Sequence, residues 1–222
     1  MPQLLISVTS VEEAELALPY ADIIDLKDPS QGALGALPLE TIKKVVEFVA
    51  HKKIVSATIG DLPMDATQIF NAVQTMQATQ VDFIKIGFFE VENVQACLDA
   101  LAPLVKKGVK LIAVLFAEKK YPDDLIDNIR QAGFFGVMLD TAIKNGQTLF
   151  DYYTHQETSE FCQTVLTKGL QVGLAGSLNG THFEALKELN PSYVGFRGGV
   201  CESQNRTFSL SEEKIKTLCK LL

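Results

Sequence analysis

Two lysines and two aspartates stand at or near the ends of short apolar runs. The run Ala-Asp-Ile-Ile-Asp25-Leu-Lys27 sets an aspartate and a lysine two residues apart, the run Phe-Ile-Lys85-Ile-Gly carries one lysine, and the run Val-Met-Leu-Asp140 closes on an aspartate. A fourth run, Tyr-Val-Gly195-Phe-Arg197, has glycine where the others carry charge and an arginine two residues on. A close Lys/Asp cluster is what amine chemistry requires. Lysine attacks a carbonyl only as the neutral amine, burial and neighbouring cations favour that form, and a carboxylate can carry the protons. Lys27 and Lys85 are the candidate pair of mutually repelling cations, with Asp25 and Asp140 balancing their charge. Lys144, four residues past Asp140, reads either as an exposed loop lysine or as a further cation over the same site.

Two glycine-rich turns offer a second kind of chemistry. They are Gly173-Leu-Ala-Gly176-Ser177 and Gly195-Phe-Arg197-Gly198-Gly199. Glycine lets backbone N–H groups come close to an anion, and serine or arginine adds donors. Gly176, Ser177, Arg197, Gly198 and Gly199 are therefore the candidate phosphate-binding residues, although ordinary tight turns have the same composition. The stretch 28–36, with Gly32 and Gly35, reads as a mobile lid or a static loop. The histidines (His51, His155, His182) and cysteines (Cys97, Cys162, Cys201, Cys219) are scattered and form no CxxC pair, so neither a metal, a cofactor nor a disulfide framework is expected.

These residues can meet only if the chain brings several strand ends together. Apolar runs at 4–8, 22–27, 54–59, 83–88, 110–116, 136–140, 171–175 and 193–197 read as strands, and most are continuous, as in parallel strands covered on both faces. Helix signals lie between them. Ser10…Glu13 reads as a capping box, Asp65…Gln68 and Ser209…Glu212 as openings, and Pro122 with Asp123 and Asp124 as a first turn. Ile42, Val45, Val46 and Val49 form a helical stripe. Eight strands in 222 residues leave about 28 residues per unit, which predicts an α/β chain folded as one single-domain (β/α)8 TIM barrel over 1–222. A doubly wound sheet is the alternative, and the first strand lacks the GxGxxG that would favour it.

In such a barrel the chemistry sits at the C-terminal ends of the strands, and the loops after strands seven and eight commonly hold phosphate. Aligned on their apolar cores, the even strands place Asp25, Lys85, Asp140 and Gly195 at equivalent positions. They are expected to share one layer, with empty space beside Gly195. Lys27 and Arg197, two residues further on, would point the same way and complete a charged floor beneath a cavity.

Composition narrows the partners. Apolar residues make up 47% and charged residues 21%, with net charge −7. That is ordinary for a folded soluble chain and argues against a nucleic-acid surface or docking on anionic membranes. No signal peptide or bilayer-length apolar run is present, so the cytoplasm is expected. Phe88, Phe89, Phe134 and Phe135 read as core rather than interface. The oligomeric state stays open, a homo-oligomer being compatible with the sequence.

The phrases IIDLKDPSQGALGA, SATIGD, DFIKIG, MLDTAIKNGQTLFD, LAGS and GFRGGVC, in this order, resemble the (5-formylfuran-3-yl)methyl phosphate synthase family of methanofuran biosynthesis along nearly the whole chain. The resemblance implies a lyase that joins two molecules of glyceraldehyde 3-phosphate into a furan aldehyde bearing one hydroxymethyl phosphate, without a metal. It puts the family's Schiff-base lysine on Lys27, its acid/base lysine on Lys85 and further active-site positions on Asp25, Asp140 and Lys144. A class I aldolase acting on another phosphorylated sugar would use the same lysine chemistry, and a non-catalytic sugar-phosphate-binding barrel would use none of it.

Overall fold

Each apolar run has two buried faces, and that is what lets the sheet close. In Gln3–Val8 (β1), Leu4, Ile6 and Val8 pack outward against helices while Leu5 and Ser7 face the barrel axis. The computed structural model describes residues 1–221. Its other strands are Ile23–Leu26 (β2), Ile54–Thr58 (β3), Phe83–Gly87 (β4), Leu111–Phe116 (β5), Gly136–Asp140 (β6), Gln171–Leu174 (β7) and Tyr193–Phe196 (β8). They pair in parallel in sequence order, and β8 returns to β1. All eight predicted strands are present, each boundary within one residue of its expected place.

The helices are Val11–Ala17 (α1), Leu39–Val49 (α2), Ala66–Gln77 (α3), Val94–Lys106 (α4), Leu125–Gln131 (α5), Leu149–Tyr152 (α6), His155–Thr167 (α7), Phe183–Leu189 (α8) and Glu212–Leu221 (α9). Ile42, Val45 and Val49 form the buried stripe of α2. Among the described residues no helix is long and apolar enough to cross a membrane.

One device recurs at the N-terminal rim. Before three of the four even-numbered strands, the side chain of the preceding residue accepts a hydrogen bond from a backbone N–H of a neighbouring strand. Asp22 accepts from Leu4 (2.9 Å), Asp82 from Val55 (2.8 Å) and the Ser192 hydroxyl from Val172 (3.0 Å). These bonds anchor the register at the end of the barrel opposite the charged residues, so the strand ends that carry chemistry arrive at one mouth.

Several local expectations need correction. Ser10 caps α1 by accepting from the Glu13 N–H, but Glu13 does not reach back to close a box. Its carboxylate accepts from the backbone and hydroxyl of Thr9 instead. Helix α5 begins after Pro122, which only closes a preceding turn with Leu125. Ser211 rather than Ser209 stands immediately before α9, its carbonyl accepting from the Ile215 N–H. Helix α6 and the start of α7 occupy part of the stretch 141–158 that follows β6. Of the four phenylalanines expected in the core, Phe88 and Phe134 are buried in it, and Phe89 and Phe135 are partly buried against it. Phe88 and Phe134 pack between barrel and helices, while Phe135 stacks on Phe83 and Phe89 on Phe116.

Candidate active site

The C-terminal mouth opens into a cavity of about 440 Å³, within the ~300–1,000 Å³ usual for small-molecule sites. Asp25, Lys27, Lys85, Asp140 and Lys144 all line it.

Asp25 lies at the bottom, fully buried, and is held from three strands. The Ser7 hydroxyl on β1 donates to one carboxylate oxygen (2.8 Å), and the Ser56 hydroxyl on β3 donates to the other (2.6 Å). Lys85 on β4 reaches that second oxygen at 2.5 Å. Burial pushes the Asp25 pKa up. The charges of Lys85 and Lys27 and the donated hydrogen bonds outweigh burial and hold it below the ordinary carboxylate value. Ser7 and Ser56 support the site through Asp25, and the sequence did not single them out. The available signal was a serine inside an otherwise mostly apolar strand, in LLISV and IVSAT.

Lys27 and Asp140 form a second pair nearer the opening, 3.9 Å apart. Asp140 also accepts from Lys144 (3.2 Å) and from the Thr141 N–H (2.7 Å). Burial raises the Asp140 pKa, but Lys144 and Lys27 bring it down to about 2. Lys144 is thus a cation of the mouth rather than a free loop lysine, and its remaining donors go to the Thr141 carbonyl and hydroxyl. For Lys27, burial acts downward and Asp140 upward, and the charges of Lys85 and Lys144 lower it again, to about 8. A buried lysine whose pKa is that low carries an appreciable neutral fraction near neutral pH, which is the nucleophilic form.

The single shared layer is corrected. Asp25, Lys85 and Asp140 do point inward, but Asp140 stands one side-chain step above the other two. The β6 residue beside Gly195 is Met138, whose methyl would lie 3.1 Å from a Cβ built there. The room left by Gly195 is therefore partly filled, and the charged residues occupy two tiers.

Arg197 needs the larger correction. Its side chain is 6% exposed and all five of its N–H donors are used. They go to both oxygens of Glu13 and to the carbonyls of Ser7, Arg206 and Phe208. The guanidinium has nothing left for a phosphate. Arg197 lines the cavity with its donors already spent, and Gly176, Ser177, Gly198 and Gly199 line it too. Among the described residues no acceptor takes the backbone N–H of Ser177, Gly198 or Gly199. Ser177 adopts a left-handed conformation (φ 52°), uncommon for a residue with a side chain. The loop 28–36 is anchored rather than loose. Asp61 accepts from the N–H groups of Ala33 and Leu34 at 2.8 and 2.7 Å, the Thr58 hydroxyl donates to the Gly35 carbonyl, and Leu34 is fully buried. Among the described residues no group of three or more His, Cys, Asp or Glu side chains is arranged to hold a metal ion.

Fold and site together define a (β/α)8-barrel enzyme with a lysine–carboxylate pocket at its C-terminal mouth. The chain belongs to the 4-HFC-P synthase family, whose family model matches residues 4–219. A Methylorubrum extorquens protein assigned provisionally as a (5-formylfuran-3-yl)methyl phosphate synthase is 39% identical over 216 residues, covering 96% of this chain and 89% of its own length. The (5-formylfuran-3-yl)methyl phosphate synthase of Methanocaldococcus jannaschii is 34% identical over 233 residues, covering 98% and 99%. Among solved structures, phosphoribosyl anthranilate isomerase from Thermus thermophilus superposes with a TM-score of 0.71 at 17% identity, covering 99% of this chain and 97% of its own. The 3-hexulose-6-phosphate synthase from Salmonella typhimurium gives 0.70 at 16%, covering 99% and 98%. At such identities these two share the fold alone.

Proposed function

We propose that this enzyme condenses two molecules of glyceraldehyde 3-phosphate into (5-formylfuran-3-yl)methyl phosphate, as a cytoplasmic lyase of methanofuran biosynthesis, through an imine on Lys27. The observation that carries the reading is Lys27 itself, an almost buried amine at the mouth with a pKa lowered to about 8, beside a permanently charged Asp140. At pH 7 about a tenth of it is neutral. The family and the names of the relatives support the choice of product.

The Lys27 amine adds to the aldehyde of one triose phosphate and loses water to give an iminium. The iminium withdraws electrons and acidifies the adjacent C–H. Lys85, held by Asp25, or Asp140 passes that proton, and the enamine carbon attacks the aldehyde of the second triose. Elimination of one phosphate, ring closure, dehydration and hydrolysis of the imine release the furan and return the amine. One phosphate and two waters leave overall, which balances two trioses against the product. The backbone N–H groups of Ser177, Gly198 and Gly199 hold the phosphate that is retained.

Incubation with glyceraldehyde 3-phosphate alone tests this reading. It predicts a product with the strong ultraviolet absorbance of a furan aldehyde and one phosphate released per product. A non-absorbing aldol product would assign the chain to the aldolase chemistry instead, and saturable binding without turnover would make it a binding protein.

A further inference from the structure

Arg197 is spent, yet the loop it organises presents another arginine to the cavity. Between β8 and α9 the chain runs through two short 3₁₀ turns and a bridge between Cys201 and Leu210. Arg197 donates to the carbonyls of Arg206 (2.8 Å) and Phe208 (3.0 Å) while its charge is neutralised by Glu13. The backbone on both sides of Thr207 is thereby fixed to the barrel. The Arg206 side chain is half-buried and lines the same cavity as Lys27 and Lys144. Among the described residues its one acceptor is the Gly32 carbonyl at 2.5 Å, across the mouth on the loop after β2. One amino group is tied there, and the rest of the guanidinium fork has no protein partner.

The charges at the mouth also need a counterpart. Lys85 is neutralised by Asp25 and Arg197 by Glu13. Lys27, Lys144 and Arg206 then face the cavity against Asp140. Asp61 and Asp28 also act on Arg206 through their charge, but neither lines the cavity or forms an ion pair with Arg206. A surplus of cations in an otherwise acidic chain suits an anionic ligand. A guanidinium with free parallel N–H groups suits a phosphate, which it can grip with two hydrogen bonds.

We propose that Arg206 binds the phosphate of a triose phosphate in the cavity, bridging it to the loop after β2, and that Arg197 is the positioning residue that holds Arg206 in place. The proposal rests on the reading of the ligand as a triose phosphate. It adds a side-chain phosphate site to the backbone site formed by Ser177, Gly198 and Gly199, so each of two substrate molecules has its own anion contact.

Glycerol 3-phosphate tests this without chemistry, because it carries the phosphate but no carbonyl to form an imine. Its affinity, measured by calorimetry, is expected to fall about ten- to a hundredfold in Arg206→Met, the loss of charge-assisted hydrogen bonds, and to recover in part in Arg206→Lys. Melting temperatures should stay close to wild type in both variants, and KM for the triose should rise more than kcat falls. If wild type binds glycerol 3-phosphate and both variants bind it equally well, the assignment of Arg206 is overturned while the triose phosphate reading stands. The assignment also fails if Arg206→Met lowers the melting temperature with affinity unchanged. If wild type binds neither glycerol 3-phosphate nor the triose, the substrate reading itself fails and this site with it.

Discussion

Lys85 and Asp25, sixty residues apart in sequence, meet at 2.5 Å inside the barrel, where their side chains are 2% and 0% exposed. Two hydroxyls, Ser7 and Ser56, complete the carboxylate's hydrogen bonding, so the pair forms a fully bonded polar unit at the floor of the cavity. A buried ion pair of this kind adds little net stability when intact, but losing one partner strands a charge in the interior.

Lys85→Met is therefore expected to destabilise the fold by about 3–5 kcal/mol in urea unfolding. The double variant Asp25→Asn/Lys85→Met should regain a substantial part of that loss, since the remaining amide is neutral and the serines still reach it. Equal losses in the single and double variants would show that the charge is not what costs.

Lys27 makes a pH prediction with a definite sign. Imine formation needs the neutral amine, so its rate at fixed substrate should rise with pH around a midpoint near 8 and level off above it. Asp140→Asn removes the charge that raises Lys27 and should move the midpoint down. Lys144→Met removes a charge that lowers it and should move the midpoint up. Stability follows the same linkage. Between about 8 and the ordinary lysine value of 10.5 the unfolded chain binds more proton, so this residue's contribution to stability grows as pH rises through that window. Rapid-mixing trapping across pH in the three proteins checks both shifts.

The barrel was legible because its strands are buried on both faces and so read as unbroken apolar runs, and because charge falls at their C-terminal ends. Asp25, Lys27, Lys85 and Asp140 could be gathered from that pattern, whereas Lys144, in the loop after β6, was left open by its spacing and joined them only through the family resemblance. The tiers could not, because alignment of apolar cores ignores the stagger of register around a closed sheet, and that stagger sets Met138 rather than Asp140 beside Gly195. Arg197 misled for a different reason. Its position just after β8 is right for a phosphate ligand, but Glu13, 184 residues away in sequence, takes its charge. Arg206 follows a stretch with no periodicity, and only the folded loop brings it over the mouth.

The Glu13–Arg197 pair gives a further prediction. Glu13→Gln leaves the buried guanidinium with carbonyl partners only, so a loss of about 3 kcal/mol is expected, at the low end for a broken buried pair. Glu13 is not among the charges that set the Lys27 pKa, so the midpoint of imine formation should not move. A shifted midpoint in this variant would mean that the two clusters are coupled.

Tyr193 lies deeper in the barrel, with its ring against Gly173, where a Cβ would come within 2.3 Å of the ring. Among the described residues its hydroxyl is the buried side-chain polar atom without a hydrogen-bond partner, and burial together with the Asp25 charge raises its pKa. Removing an unsatisfied hydroxyl removes a desolvation cost. Tyr193→Phe is expected to raise stability by about 1 kcal/mol, whereas a loss in thermal unfolding would show that the hydroxyl is bound in solution.

The central claim is that Lys27 is the nucleophile. Borohydride reduction during incubation with glyceraldehyde 3-phosphate, followed by peptide mapping, tests it most directly. The account predicts a single adduct on Lys27, absent from Lys27→Arg and retained at a reduced level in Lys85→Arg. An adduct on Lys85 or Lys144, or none in an enzyme that turns over, would contradict it.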